Sequence, residues 1–280
     1  MPENELQSRT LLCGRARRHH YAGAMPLGVR SFRGGVAHYK TATGSYAVDD
    51  GCWLVLNDGQ SYELSIDSPA EVESTVVFFP TGWASVVARI FRERPELLLD
   101  EPLGTGESVT FLEATVPHDQ SVTSQLLALD RAGRHQKIQE AYLEEALRDL
   151  LAALLMSQRD HRERANRLPS AKASTRQELY RRLCRGRDYL GASALSAPTL
   201  ADAASAANLS SYHFQRSFKL AFGQTPHEYA TARRLSHARR LLTDIGTPPA
   251  QVAVAIGYSS YSAFHLAYSR HFGEAPGRVT

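Results

Sequence analysis

No stretch of this sequence is apolar for long enough to cross a bilayer. Its opening residues, MPENELQSRTLLCGRARRHH, also lack the apolar centre of a secretion signal. These absences exclude a spanning helix and predict a soluble, cytoplasmic chain with no membrane partner. Cysteine is scarce as well: Cys13, Cys52 and Cys184 are odd in number, far apart and without metal-ligand spacing, which excludes a disulfide framework and a zinc site and predicts reduced thiols. Metal-binding β domains need closely spaced histidines and a carboxylate on adjacent strands, whereas His38 and His118 are isolated and His19-His20 sits in a polar terminus. No Ser/His/Asp, Cys/His or glycine-rich phosphate motif is present. The expectation is no metal, no cofactor and no enzymatic site.

What is present begins with a lopsided charge. Residues 176–280 carry 13 Lys or Arg against 6 Asp or Glu, a surplus of 7, while residues 1–175 carry 19 against 23. A basic C-terminal part suits a polyanion, the other reading of surplus arginine being a solvated face. With 280 residues, 43 % of them hydrophobic, and roughly 100 to 200 residues per domain, the chain is expected to form two domains.

Residues 31–80 alternate short β-branched and aromatic runs with Gly, Asp and Asn, the pattern of a small antiparallel sheet or barrel. Within it, residues 52–56 and 62–66 flank Asn57-Asp58-Gly59, which predicts a hairpin, and residues 74–79 supply a further strand. Residues 109–116 are expected to add a late strand, and residues 83–94 and 121–131 to form helices. Between 136 and 158, Leu143, Leu147, Leu150 and Leu154, with Ile138, Leu151 and Leu155, make a broad apolar stripe on one long helix. The stripe either packs on the preceding sheet, the preferred reading, or forms a dimer seam. Trp53, Tyr62, Phe78, Phe79 and Trp83 are read as sheet core, with an apolar pocket as the alternative. Residues 159–173 turn polar, charged and proline-containing, as a linker would. Thr175-Arg176-Gln177-Glu178 then fits a capping box opening a new helix.

The C-terminal region repeats itself at fifty residues: Ala203 with Ala253, Ser210 with Ser260, Phe214 with Phe264, Phe218 with Tyr268, Phe222 with Phe272, Gly223 with Gly273 and Pro226 with Pro276. Each copy reads as a short helix, a tight turn with Asn208 or Gly257 at an unusual backbone angle, and a longer helix ended by glycine. Aromatics at i, i+4 and i+8 give the longer helix an inner edge. In the first copy the opposite face presents Tyr212, Gln215, Arg216 and Lys219. That set has the chemistry of a major-groove reader: arginine for guanine, glutamine for adenine, tyrosine for a thymine methyl, and lysine or a helix-start serine for phosphates. His213 is read as a turn stabiliser in preference to a phosphate contact, Arg234 as the partner of an acidic neighbour, and Arg233, Arg239 and Arg240 as solvated charges.

These residues resemble the AraC/XylS family of bacterial regulators. The matching patterns are S-x-x-H-F-x-R-x-F-K-x-x-F-G-x-T-P-x-x-Y at 210–229, R-L-x-x-A-x-x-L-L at 234–242, A-x-x-x-G-Y at 253–258 and F-G-x-x-P at 272–276. The resemblance implies an α+β chain. A β-rich, cupin-like sensory or dimerisation domain with helices would occupy residues 1–158, a linker 159–174, and an all-α domain of two tandem helix-turn-helix units 175–280. It implies that a linking helix over 226–243 sets the longer helices in successive major grooves. It places Tyr212, Gln215 and Arg216, then Ser262 and Leu266, at base-reading positions. The second copy departs from the pattern, with Leu266 for an arginine and Ser269 for a lysine, so it is expected to read bases weakly, through Ser262, His265 or methyl contact at Leu266. Ser210, Ser211, Lys219, Ser260 and Arg270 are the expected phosphate contacts. The implied function is sequence-specific transcription regulation, more as an activator, with double-stranded DNA, RNA polymerase, a small-molecule effector and a homodimer mate as partners. The competing readings are a cupin-type enzyme with a DNA-binding appendage and a non-specific architectural DNA binder.

Overall fold

A computed structural model describes residues 10–92, 109–135, 138–170, 172–243 and 245–278. The chain divides between Glu163 and Arg164 into two compact units, apart from two short segments, 43–47 and 68–70, that group with the second. Of the predicted helices, positions 93–94 and 136–137 lie outside the described residues.

The first unit is built on a seven-stranded antiparallel sheet of β1 (Leu11–Ala24), β2 (Gly28–Arg33), β3 (Ala37–Thr41), β4 (Ser45–Val48), β5 (Cys52–Leu56), β6 (Ser61–Phe78) and β7 (Thr115–Pro117). The strand order is β4-β3-β6-β2-β5-β7, with β1 added on β6. Long β6 organises it. One edge pairs with β1 along nearly its whole length, and the other pairs first with β3 and then with β2, which curls the sheet into a nearly closed barrel. Pro69 falls where β6 bends: the β1 register shifts between Ala16 and Arg18, and residues 68–71 have no partner there, the place where a missing N–H costs least.

Three sequence expectations change here. The segments around Asn57-Asp58-Gly59 are strands, and Gly59 has the positive φ of +70° expected of the turn. Yet β5 and β6 do not pair, because β2 lies between them. Turn chemistry reports a reversal and cannot report which strand fills the space. The terminus read as polar, including His19-His20, is strand β1, whose outward charges mask its period-two pattern. Late strand β7 shrinks to three residues, Thr115–Pro117.

Successive β6 residues face opposite ways, and both faces are covered. Thr75 and Val77 point to helices α1 (Trp83–Arg92), α2 (Gln120–His135) and α3 (Glu140–Asn166), while Val72, Val76 and Phe78 line the barrel interior. The α3 leucines Leu143, Leu147, Leu150, Leu151 and Leu154 share one buried cluster with Val29, Trp53, Val55, Val77 and Phe79, so the stripe packs on the sheet. Trp53 and Phe79 are core, whereas Tyr62 and Phe78 line a cavity.

The region expected as linker is half helix. Helix α3 runs on to Asn166 because Arg, Glu and Ala carry it and because His161 and Ala165 are buried. Helix α4 then starts at Ala173, behind Lys172, with no side-chain cap, so the Thr175/Glu178 box is not used. Two boxes further on are formed. Thr199 and Asp202 cap α5, and Thr225 and Glu228 cap α7, with the Thr225 N–H donating to the Glu228 carboxylate at 2.7 Å.

Candidate nucleic-acid interface

The second unit runs α4 (Ala173–Ala192), a short 3-10 turn at Ala194–Ser196, α5 (Leu200–Ala206), α6 (Ser211–Phe222), α7 (Pro226–Thr243), α8 (Pro249–Ala255) and α9 (Tyr261–Phe272). The fifty-residue repeat becomes two helix-turn-helix units, α5–α6 and α8–α9, joined by α7. Their turns place Asn208 at φ +51° and Gly257 at φ +80°. Asparagine tolerates this left-handed region and glycine is unhindered in it. At the start of each longer helix a serine hydroxyl accepts a backbone N–H, Ser210 from His213 at 3.3 Å and Ser260 from Ala263 at 3.2 Å. Gly223 and Gly273, at φ +74° and +75°, end these helices.

Aromatic edges hold both longer helices down. Phe214, Phe218 and Phe222 stack edge to face at centroid distances of 5.3 and 4.6 Å. Phe264, Tyr268 and Phe272 repeat the arrangement at 5.5 and 4.6 Å. Helix α7 completes the second core by inserting Leu235, Ala238 and Leu242 against Val252, Ala253 and Ile256.

Fixing the inner edge fixes the outer one. Tyr212, Gln215, Arg216 and Lys219, spaced i, i+3, i+4 and i+7, are all exposed on α6, Tyr212 at 75 %. No hydrogen bond or ion pair engages the Arg216 and Lys219 side chains among the described residues. On α9, Ser262, Leu266 and Arg270 are exposed, Leu266 at 71 %, while His265 is half-buried with its ring 5.9 Å from that of Tyr261. Ser210 and Ser260 are exposed and Ser211 is half-buried. The first helix therefore presents a cation, an amide and a phenol in one stripe, and the second a hydroxyl, an aliphatic side chain and one arginine.

Other sequence readings move. The His213 side chain is exposed and stabilises nothing in the turn, where its backbone N–H does that work. Arg234 meets no carboxylate among the described residues; its guanidinium lies 5.9 Å from the Tyr258 ring centroid. Arg239 is not a free solvated charge, since it pairs with Glu274 at 3.0 Å and covers the Phe272 ring. Two features that support the site, a buried ion pair and a glycine, gave no warning. Arg187 and Asp188 are buried together on α4, the guanidinium bonding Asp188 at 3.0 and 3.2 Å and lying over Phe222. Burial works against the Arg187 charge, but Asp188, together with Cys184, Tyr229 and Tyr180, more than offsets it and holds the guanidinium protonated. Gly186 is the other: a Cβ there would stand 2.3 Å from the Phe214 ring and 2.9 Å from the Ala203 carbonyl, so α4 touches both helices of the first helix-turn-helix through a hydrogen atom.

Residues 203–280 match the family model described as a helix-turn-helix domain. A putative AraC-like transcription regulator of Streptomyces antibioticus is 33 % identical over 190 residues, covering 65 % of this chain and 57 % of that protein. The similarity to AraC-like regulators therefore lies in the helix-turn-helix region and the part of the chain that precedes it. Shorter matches fall on other regulators. The probable transcriptional regulator LumQ of Photobacterium leiognathi is 38 % identical over 80 residues, 29 % of this chain and 32 % of LumQ. The HTH-type transcriptional activator RclR of Escherichia coli K12, described as RCS-specific, is 35 % identical over 79 residues, 28 % of each chain. The chain thus spans little more than half the length of the longest-matching of these relatives.

Proposed function

We propose that this chain is an AraC-type, sequence-specific DNA-binding transcription regulator, acting as an activator and governed by a small molecule received in its first unit. The observation that carries the reading is the exposed stripe Tyr212, Gln215, Arg216 and Lys219 on a helix whose opposite edge is locked by Phe214 and Phe218. In this reading Tyr212, Gln215 and Arg216 touch base edges, as do Ser262, His265 and Leu266 more weakly. Lys219, Arg270, Ser211 and the capping serines Ser210 and Ser260 hold phosphates, Ser210 and Ser260 by presenting the amino ends of α6 and α9. The activator role draws on RclR, and with it RNA polymerase is the expected protein partner. The barrel cavity supports the sensory role, and a homodimer would set two such units on a symmetric operator. No described helix is long and apolar enough to cross a membrane, in keeping with a regulator that works beside the chromosome in the cytoplasm.

Genome-wide mapping of sites bound by the full chain tests the reading. A shared sequence upstream of a limited set of genes is the expected result. Uniform occupancy that competitor DNA erases would instead mean an architectural binder.

A further inference from the structure

The barrel interior holds a cavity of about 250 Å3, just below the roughly 300 to 1,000 Å3 of typical ligand pockets. Its walls are apolar and aromatic: Phe32, Tyr39, Tyr62, Leu64, Ile66 and Phe78. The rings form a continuous group, with Tyr39 and Tyr62 at 5.3 Å and Phe32 and Tyr39 at 6.0 Å.

One charged residue packs directly behind that lining. Arg30, two positions before Phe32 and on the same face of β2, is fully buried at 0 % exposure. Its guanidinium carbon stands 5.2 Å from the Tyr62 centroid and 5.4 Å from that of Phe78, two rings of the cavity wall. Nη1 donates to the Gly28 carbonyl and the guanidinium interacts with the Tyr39 hydroxyl, while Nε and Nη2 have no well-aligned protein acceptor. The neighbouring oxygen is the Tyr39 hydroxyl, which burial pushes above its ordinary range and which therefore remains a phenol. The other buried arginine among the described residues shows the usual solution, since Arg187 has Asp188 against it at 3.0 Å. Arg30 has no such carboxylate among the described residues. Two ring faces return less than the desolvation of a guanidinium costs.

We propose that Arg30 is the anion-binding group of this cavity and that its ligand is a small monocarboxylic acid with a flat, apolar body. The planar fork with two free N–H donors matches a carboxylate. A single uncompensated charge matches a monoanion better than a phosphate dianion, since Arg15, the arginine among the lining residues, is already tied to Glu73 at 2.7 Å. The aromatic walls supply stacking faces for a flat body. This assignment deepens the sensory reading of the first unit and rests on it.

Titration of the full chain with trans-cinnamate and octanoate, each beside its uncharged primary amide, tests the assignment by calorimetry and thermal shift. Cinnamate should bind and raise the melting temperature, with its amide and octanoate at least tenfold weaker. Arg30→Met should weaken cinnamate by roughly ten- to a hundredfold, the loss of a charge-assisted pair, without lowering the melting temperature of the free protein. Leu64→Trp, which fills the cavity and leaves Arg30 in place, should abolish binding too. Equal affinity for acid and amide, wild-type affinity in Arg30→Met, or no response to either acid at millimolar concentration overturns the proposal. Tighter binding of octanoate overturns the flat body. DNA binding of the same preparations at low salt is read separately: Arg30→Met should keep it, and a wild-type chain that ignores DNA defeats the regulator reading without touching Arg30.

Discussion

Gly186 and Arg216 show how differently two side chains serve one helix. Gly186 has no φ that demands glycine, and its importance is the space a methyl group would take from the Phe214 ring. Gly186→Ala is expected to destabilise the second unit by about 1 to 3 kcal/mol through overpacking, despite alanine's better helix propensity, and thermal melts of the variant check the sign. Arg216 is exposed with no hydrogen bond or ion pair among the described residues, and under the proposed function its loss is expected to cost DNA binding alone. Arg216→Ala should weaken specific binding by about 1 to 3 kcal/mol and relax preference at one base pair, whereas Lys219→Ala should weaken all sites alike and reduce the salt slope by about 1. Fluorescence anisotropy on matched and mismatched duplexes over a salt series separates the two. An Arg216→Ala chain that binds both duplexes at wild-type strength defeats the base-reading role.

At the scale of elements, α2 is pinned to the sheet by one carboxylate. Asp130, 3 % exposed, accepts from Thr75 Oγ1 on β6 at 2.6 Å and from Arg134 Nε at 2.7 Å, and also pairs with Arg33 on β2. Burial alone would raise its pKa, but the Thr75 and Arg134 bonds and the charges of Arg134 and Arg33 prevail and hold it below the ordinary 3.8. A depressed folded-state pKa contributes stability that is present above the ordinary value and is lost as pH falls through the folded one. The first unit should therefore lose stability below about pH 4. Asp130→Asn should cost about 3 to 5 kcal/mol at neutral pH and flatten that acid limb, which circular-dichroism melts at neutral and acid pH would record. The same scale explains the absent hairpin: β5 and β6 each have good strand sequences, and β2 takes the position between them by pairing with both.

For the whole molecule, the break between α3 and α4 spans Arg167 to Lys172, both exposed. Brief trypsin treatment should cut there first and leave two folded fragments, and single-step degradation across both units would contradict the division at Glu163 and Arg164. The linking helix α7 has 18 residues, about 27 Å at 1.5 Å each, a length suited to reading two sites one DNA turn of about 34 Å apart. The sequence by itself determined the tandem units, their caps, the inner aromatic edges and the polar stripe of α6, because helical periodicity and terminal residues are local signals. It also determined that the α3 leucines needed cover. Only the tertiary structure decided that the cover was the sheet, that β1 was a strand, that Gly186 and the Arg187–Asp188 pair brace the first helix-turn-helix, and that Arg30 lies buried without a carboxylate. Each of those depends on which distant segment arrives opposite a residue, and a pattern read along one chain carries no record of what will face it.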